Sequence, residues 1–283
     1  MTQHHDHHRD HDEQSSPALA ELLDLDGDVL HDYLSEVTTW LHQHAVGISR
    51  GRVVDLGAGT GAGTVALAQR FGTAEVIAVD VSEQMLSRVR AKALDLGMAE
   101  RVRTVQADVD LAWPAVDSVD VVWASNSLHE MANPDRVFKD VSAALRPGGL
   151  LAVAEMDSPP RFLPDDIGLG RPGLESRWRS AVERGETQSL LGPDWGPHME
   201  RAGFTVVAKR RFVIDLKPPH ARPAGRYAQA YLRRIRPLLE HSMATDDLLT
   251  IDALLDSDGP ESLLHRADLT VRNIRTVWLA RRS

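Results

Sequence analysis

Between residues 52 and 155, short runs of β-branched and apolar residues alternate with helix-length segments whose apolar residues recur every three or four positions. Parallel neighbouring strands need a crossover connection, usually a helix, so this alternation predicts a parallel sheet covered by helices on both faces. It excludes an all-helical or all-β fold. The predicted strands are Arg52 to Leu56, Glu75 to Asp80, Arg101 to Ala107, Val119 to Ser125 and Leu150 to Glu155. The predicted helices are Ala62 to Phe71, Ser82 to Leu96 and Pro134 to Leu145.

The flanking segments complete the predicted architecture. Helical spacing covers residues 17 to 47, and a loop rich in Pro and Gly follows the fifth strand. Two further strands bring the sheet to seven, so we expect a doubly wound, Rossmann-like α/β fold with a mainly parallel sheet and helical cap inserts. The later predicted elements are helices at Leu174 to Gly185 and Asp194 to Ala202, a helical insert at about Ala224 to Leu255, and strands at Phe204 to Leu216 and Arg275 to Arg282.

Composition excludes several kinds of chemistry. The chain has no Cys, which excludes disulfides, thiolate nucleophiles and Cys-ligated metals, and we expect no metal site. Residues 1 to 16 are mostly His, Asp, Glu, Gln and Ser, which predicts a disordered His-rich tail. The tail lacks the apolar core of a signal peptide, and no run approaches the roughly 18 apolar residues of a membrane span. We therefore expect a cytoplasmic protein.

A glycine-rich turn, GAGTGAG, follows the first predicted strand and precedes the first helix of the alternation. Gly57, Gly59 and Gly61 allow the backbone to turn tightly and to approach a ligand, while the helix N-terminus offers free N–H groups to an anion. The turn also satisfies the loose dinucleotide pattern, so by itself it leaves a nicotinamide or flavin enzyme open.

Three carboxylates stand at or near the carboxyl ends of the first three strands, where open α/β sheets bind ligands. Asp55 would repel a pyrophosphate but attract an ammonium group, unless its role is only to order the turn. Asp80 lies 23 residues after Gly57, where an acidic side chain accepts hydrogen bonds from both ribose hydroxyls. Asp108 ends the third strand, on the side where an adenine amine would lie; a turn-forming Asp is the alternative.

These residues resemble those of the class I S-adenosylmethionine-dependent methyltransferases that act on small molecules. The resemblance spans about Val53 to Glu155 and is carried, in the expected order, by VVDLGAGTG, VIAVDVSEQML, VQADVD, VDVVWASNSLHE and LRPGGLLAVAE. It implies the doubly wound fold and S-adenosylmethionine as cofactor. It also implies in-line displacement of the methyl group by an oxygen, nitrogen or carbon nucleophile of a small-molecule acceptor.

The resemblance further implies which residues bind the cofactor. The glycine turn would wrap the methionine part, Asp80 would bind the ribose, and Asp108 would meet the adenine edge. Val81 and Met85 would pack on the adenine, with ordinary core packing as the alternative. The expected cofactor-binding residues are Asp55, Gly57, Ala58, Gly59, Thr60, Gly61, Asp80, Val81, Met85, Asp108, Val109, Ser125 and Asn126.

By the same resemblance we expect a single methyltransferase domain over residues 17–283. It would comprise capping helices at 17–47, a cofactor-binding core at 50–157 and substrate-side inserts at 158–202 and 217–270. The inserts themselves match no segment of the family that can be assigned.

His129 is the candidate catalytic acid or base. It follows the fourth strand, near the position where the methyl group would face its acceptor, and imidazole titrates close to neutral pH. Similar family members carry one or two His after this Ser-Leu segment, whereas here Glu130 follows. A His that only orders a loop or caps a helix is the alternative.

The acceptor is predicted only by class. The segment from Ser125 to Leu128 differs from the Asn-Pro-Pro-Tyr loop of enzymes that methylate DNA adenine or glutamine, so neither substrate is expected. A modestly basic second half and the capping inserts favour an anionic or aromatic small molecule, with no membrane partner and a monomer or homodimer as the assembly. The alternatives are a cofactor-binding regulatory protein without transfer, an RNA methyltransferase, and an NAD(P)-dependent oxidoreductase.

Overall fold

The predicted alternation forms one sheet in the structure, a computed structural model that describes residues 16–45, 51–184, 192–218 and 223–283. The strands are β1 (Arg52–Leu56), β2 (Glu75–Asp80), β3 (Val102–Gln106), β4 (Val119–Ser125), β5 (Leu145–Met156), β6 (Phe204–Leu216) and β7 (Val271–Arg282). The helices are α1 (Pro17–Val29), α2 (His31–His44), α3 (Ala62–Arg70), α4 (Glu83–Asp95), α5 (Pro134–Ala144), α6 (Leu174–Arg184), α7 (Gly196–Arg201), α8 (Pro223–Leu239) and α9 (Thr245–Leu255).

The strand order across the sheet is β3-β2-β1-β4-β5-β7-β6. Strands β1 to β5 are parallel, whereas β7 is antiparallel to both β5 and β6, between which it lies. The prediction of a mainly parallel seven-stranded sheet is thereby confirmed. Because the strand order reverses between β1 and β4, their carboxyl ends flank the crevice in which such sheets bind ligands.

Apolar side chains cover both faces of the central strands. Val54 and Val122 belong to a cluster that includes Val137 and Phe138 of α5. The opposite face includes Val53 and packs with residues of α1, α2 and α8. A strand buried on both sides needs apolar residues at every position, which is why β1, β2 and β4 show runs in place of alternation.

Helix α1 lies close to the glycine turn. Its N-cap is Ser16, whose hydroxyl accepts a hydrogen bond from the Leu19 N–H at 3.2 Å. Asp24 forms ion pairs with Arg88 and Lys92 of α4, each at 2.6 Å. Ion pairs therefore hold α1 against α4, a helix that packs on β2 and β3.

One predicted boundary needs correction. Ser16 caps α1 and does not belong to a disordered tail, while residues 1–15 of that tail lie outside the described residues. The helical insert predicted at about Ala224 to Leu255 contains two helices, because the chain turns after Leu239, whose carbonyl accepts hydrogen bonds from the backbone N–H groups of Ser242 and Met243. Apolar residues continue at helical spacing through this turn, so the sequence pattern does not reveal it.

In the described part of the chain, no helix has the length and hydrophobicity needed to cross a bilayer.

Candidate active site

A cavity of 540 Å³ opens at the carboxyl ends of the central strands. The turns after β1, β2 and β4 line it, as do residues of α1, α2, α8 and β7. Its volume falls within the roughly 300–1,000 Å³ of small-molecule sites. Every predicted cofactor-binding residue except Gly61 lines this cavity, so the sheet brings the three carboxylates to one place.

The glycine turn has a backbone conformation that requires Gly. Gly57 has a φ of +70°, and a Cβ atom there would lie 2.4 Å from Cβ of Ser127, which no side chain can accept. Ser127 in turn donates its hydroxyl hydrogen to the Leu56 carbonyl at 2.8 Å, so the turns after β1 and β4 are in direct contact. Backbone atoms of the turn therefore border the cavity, and the glycines leave open a space that a larger side chain would fill.

Gly61 serves packing. It has a φ of +90° immediately before α3, and a Cβ atom there would lie 2.9 Å from a methyl group of Val89 on α4. The structure thus places this residue against α4, outside the cavity lining, and it contributes to the site only by fixing the turn.

Asp80 joins the glycine turn to the start of α4. One carboxylate oxygen accepts the Gly59 N–H at 2.8 Å, and the other accepts the Ser82 N–H at 2.9 Å. Burial raises the pKa of Asp80, while these backbone hydrogen bonds oppose the shift. Since each carboxylate oxygen has two lone-pair directions, the fixed side chain can still accept hydrogen bonds from a ligand diol.

Asp55 is buried beneath the turn. Its carboxylate accepts a hydrogen bond from the Thr64 hydroxyl at 2.6 Å. Burial raises its pKa to about 7, although the hydrogen bond from Thr64 works in the opposite direction. Asp55 therefore orders the start of α3 and also lines the cavity, and its contact with an ammonium group stays a prediction.

An apolar part of the lining faces Asp108. Met85 of α4 is 2% exposed and Val109 is 6% exposed, and both border the cavity beside Val81. Asp108 accepts the backbone N–H of Asp110 at 2.9 Å, as a turn-forming Asp does, and its side chain also lines the cavity. This combination of apolar walls and an acceptor at the edge suits a planar ring with an exocyclic amine.

Asn126 holds a strained position at the end of β4. Its φ is +49°, in the left-handed region that few residues other than Gly adopt. Its side-chain oxygen is buried and has no hydrogen-bond partner among the described residues. A buried acceptor without a donor is costly, so this atom favours a ligand that supplies one. Ser125 precedes it and also lines the cavity.

His129 lies in a short 3₁₀ helix, Leu128–Glu130, and is absent from the cavity lining. Its Nδ1 is 2.9 Å from a carboxylate oxygen of Glu155, and its Nε2 is 3.3 Å from one of Glu130. Burial lowers the pKa of His129, but the hydrogen bonds to Glu130 and Glu155 outweigh burial and raise it to about 9. The ring is thus a cation at neutral pH, which does not favour a direct role as base, and the residue that borders the cavity is Glu130.

Several cavity residues carry no motif and were missed. Asp26 of α1, Arg234 of α8 and Arg275 of β7 come from segments far apart in the sequence. In α2, Tyr33 is buried in the core, whereas its neighbour Leu34 lines the cavity. Only the packing of the caps on the sheet determines which side of each helix meets the cavity.

S-adenosylmethionine, implied by the resemblance, fits this set of groups. A carboxylate that can accept hydrogen bonds from a diol, an amide oxygen without a partner among the described residues, and the backbone of the glycine turn lie around one cavity. The residues that would hold the cofactor are those of the predicted set that line the cavity.

Comparison with known proteins gives the same result. A family model described as a methyltransferase domain matches residues 53–149. The chain is 33% identical over 227 residues to 27-O-demethylrifamycin SV methyltransferase of Amycolatopsis mediterranei strain S699, covering 74% of this chain and 79% of that protein. It is 32% identical over 149 residues to the ubiquinone/menaquinone biosynthesis C-methyltransferase UbiE of Azotobacter vinelandii, covering 52% of this chain and 58% of that one.

A solved structure supports the fold. The YcgJ protein of Bacillus subtilis matches with a TM-score of 0.52 and 16% sequence identity, over 89% of this chain and 98% of that chain. The family model covers β1 to β4 and the start of β5, the strands whose carboxyl ends carry the glycine turn and the three carboxylates. The chain therefore belongs to the class I S-adenosylmethionine-dependent methyltransferase family, and it is an enzyme whose cofactor is S-adenosylmethionine.

Proposed function

We propose that this enzyme methylates an anionic or aromatic small molecule in the cavity beside the glycine turn. The lining beyond the cofactor-binding residues carries the proposal. Leu19 and Leu23 of α1 and Leu34 of α2 form an apolar wall, and Arg234 of α8 is an exposed cation at the same cavity. An apolar wall suits a ring, and a guanidinium suits an anion. The two relatives named above are methyltransferases of 27-O-demethylrifamycin SV and of ubiquinone/menaquinone biosynthesis, which also supports a small-molecule acceptor.

Two short basic clusters, Lys209 to Arg211 on β6 and Arg233 to Arg236 on α8, do not favour RNA as acceptor. Lys209 pairs with Asp194 at 3.2 Å, and Arg211 pairs with Asp157 at 3.0 Å. Arg236 pairs with Asp252 at 2.6 Å. Cations already neutralised by carboxylates contribute little to binding of a phosphate backbone.

The bound cofactor supplies a methyl group on a positively charged sulfur. In this proposal the chain contributes mainly position, which can supply roughly 7–11 kcal/mol of a barrier, whereas a general base contributes about 10²–10⁴ in rate. Asp80 and Asn126 orient the cofactor, and the leucines of α1 and α2 exclude water. His129 acts through Glu130, because it holds a proton at Nε2 against the carboxylate that borders the cavity.

Isothermal titration calorimetry with S-adenosylhomocysteine tests the cofactor assignment. Asp80→Ala removes the carboxylate that would accept hydrogen bonds from the ribose and that also bonds the Gly59 N–H in the glycine turn. The affinity for S-adenosylhomocysteine should therefore fall at least about 100-fold, because a charged hydrogen-bond partner is lost. The control is Asp95→Asn, an exposed carboxylate at the end of the same α4. Absence of binding by the unaltered enzyme would contradict the proposal.

Tritium transfer from labelled S-adenosylmethionine into a metabolite extract, compared with transfer into total RNA, tests the acceptor class.

A further inference from the structure

We propose that Asp26 binds the methyl acceptor, with one carboxylate oxygen receiving a hydrogen bond from a hydroxyl or amine group of that molecule. The inference rests on the proposed function and narrows it, because the acceptor must carry a hydrogen-bond donor. Asp26 lies on α1, which no motif of the sequence singles out, and its side chain lines the cavity.

The two oxygens of Asp26 have different surroundings. Oδ1 accepts two hydrogen bonds, one from the Tyr227 hydroxyl at 2.7 Å and one from Nη2 of Arg275 at 2.7 Å. Oδ2 has no hydrogen-bond partner among the described residues. The Asp26 side chain is 24% exposed, so an acceptor oxygen held in one orientation is available to a ligand in the cavity.

Arg275 fixes this orientation from beneath. Its side chain is 3% exposed, and its guanidinium lies 5.1 Å from the ring centre of Tyr33. A buried ion pair of this kind is expensive to desolvate and is weak evidence for stability, so a role in recognition accounts better for its presence. Since Arg275 offsets the charge of Asp26, the site suits a neutral hydroxyl or amine better than a free cation.

Asp26 is also placed close to the cofactor side of the cavity. Leu23, three residues earlier on α1, packs against the glycine turn, where a Cβ atom on Gly59 would lie 3.1 Å from its methyl group. Residues three apart on a helix are neighbours on its surface. An acceptor held by Asp26 therefore lies against the same helix surface that covers the glycine turn.

A pair of ring probes tests the inference. The enzyme is saturated with S-adenosylhomocysteine, and binding of 1-naphthol and of 1-methoxynaphthalene is measured by tryptophan fluorescence. The two probes share the ring and differ in the donor hydrogen. We expect 1-naphthol to bind about 10-fold or more tightly, since hydrogen bonds to charged groups fall in that range. Asp26→Asn should remove the preference, because its amide presents a donor to either probe.

The matched control is Asp28→Asn, an exposed carboxylate on the same helix, which should keep the preference. Should Asp26→Asn fail to fold, Tyr227→Phe removes one donor to Oδ1, keeps the ion pair and should reduce the preference. No preference in the unaltered enzyme, or a preference unchanged in these variants, overturns the inference. Loss of S-adenosylhomocysteine affinity in folded Asp26→Asn also overturns it, because Asp26 would then bind the cofactor. Absence of that affinity in the unaltered enzyme would instead contradict the proposed function.

Discussion

Asp55 has a pKa close to neutrality because it is buried, and this property makes its proposed contact with an ammonium group measurable. A nearby cation favours the ionised carboxylate and lowers its pKa. Ligand binding below pH 7 should therefore release a proton from Asp55. The predicted contact can therefore be tested by measuring the proton that is released on binding.

We predict that the affinity for S-adenosylhomocysteine rises between pH 5 and pH 7 and levels off above about 7, where Asp55 is already ionised. The slope is at most one decade per pH unit, because one proton is released. Calorimetry in buffers of different ionisation enthalpy measures that proton, and Asp55→Asn should abolish both the release and the slope. An unchanged slope in the variant would contradict the contact with the ammonium group, and the role of Asp55 would then be only its hydrogen bond with Thr64.

His129 gives a second prediction at this scale. Its pKa of about 9 depends on the hydrogen bonds to Glu130 and Glu155. Because the Glu155 side chain is almost fully buried, Glu155→Gln should lower that pKa toward the ordinary value. Glu130→Gln should lower it less, since Glu130 is half-exposed and its contact is longer. The imidazole resonances followed by NMR across pH 5–10 measure both shifts. Equal shifts in the two variants would contradict the expectation that the buried carboxylate raises the pKa of His129 more than the exposed one.

Sequence predicted the residues whose positions follow from the strands. Asp55, Asp80 and Asp108 stand at strand ends, and parallel strands bring those ends together, so their convergence required no side-chain detail. The protonation state of His129 could not be predicted in this way. It depends on Glu130 and on Glu155, and Glu155 is 26 residues away on β5, at a distance from His129 that only the folded sheet sets.

At the scale of elements, α1 contributes Leu19, Leu23 and Asp26 to the cavity lining, more residues than any other described helix. Its apolar spacing predicted that it covers the sheet but could not specify the contact. That contact depends on Gly27, where a Cβ atom would lie 2.6 Å from Cβ of Ala62 at the start of α3. Two helices approach this closely only because one of them has no side chain there.

We predict that Gly27→Ala lowers the free energy of unfolding and weakens S-adenosylhomocysteine binding. Alanine improves helix propensity by about 1 kcal/mol, but overpacking costs about 1–3 kcal/mol and displaces Leu23 from the cavity. Urea denaturation and calorimetry measure the two effects. The double variant Gly27→Ala, Ala62→Gly restores the space and should recover binding, whereas a single variant with normal affinity would contradict the expected displacement.

At the scale of the whole molecule, the sheet joins segments that are distant in sequence. Strand β7 lies between β5 and β6, so the sheet is continuous only when the segments after the inserts have paired. The seven-strand count and the mainly parallel character were predictable from the alternation. The division of the second insert into α8 and α9 was not, because apolar spacing continues through their turn.

We propose, as the sequence predicts, that residues 17–283 form one domain, and we expect one cooperative thermal transition. Saturating S-adenosylhomocysteine at 100 times its Kd should stabilise the whole unit by about 2.7 kcal/mol. Differential scanning calorimetry measures both. Two transitions, with only one shifted by the ligand, would mean that the inserts fold as a separate domain.

The position of Arg234 has a consequence for how new specificities arise. It belongs to α8, which connects β6 to the segment before β7, whereas the glycine turn and the three carboxylates belong to β1, β2 and β3 at the opposite side of the sheet. In the proposed function Arg234 binds the acceptor, so the β6–β7 connection can change without any change in the residues in or directly after β1, β2 and β3 that line the cofactor side of the cavity. Within one gene, the acceptor can then change while the methyl donor stays the same.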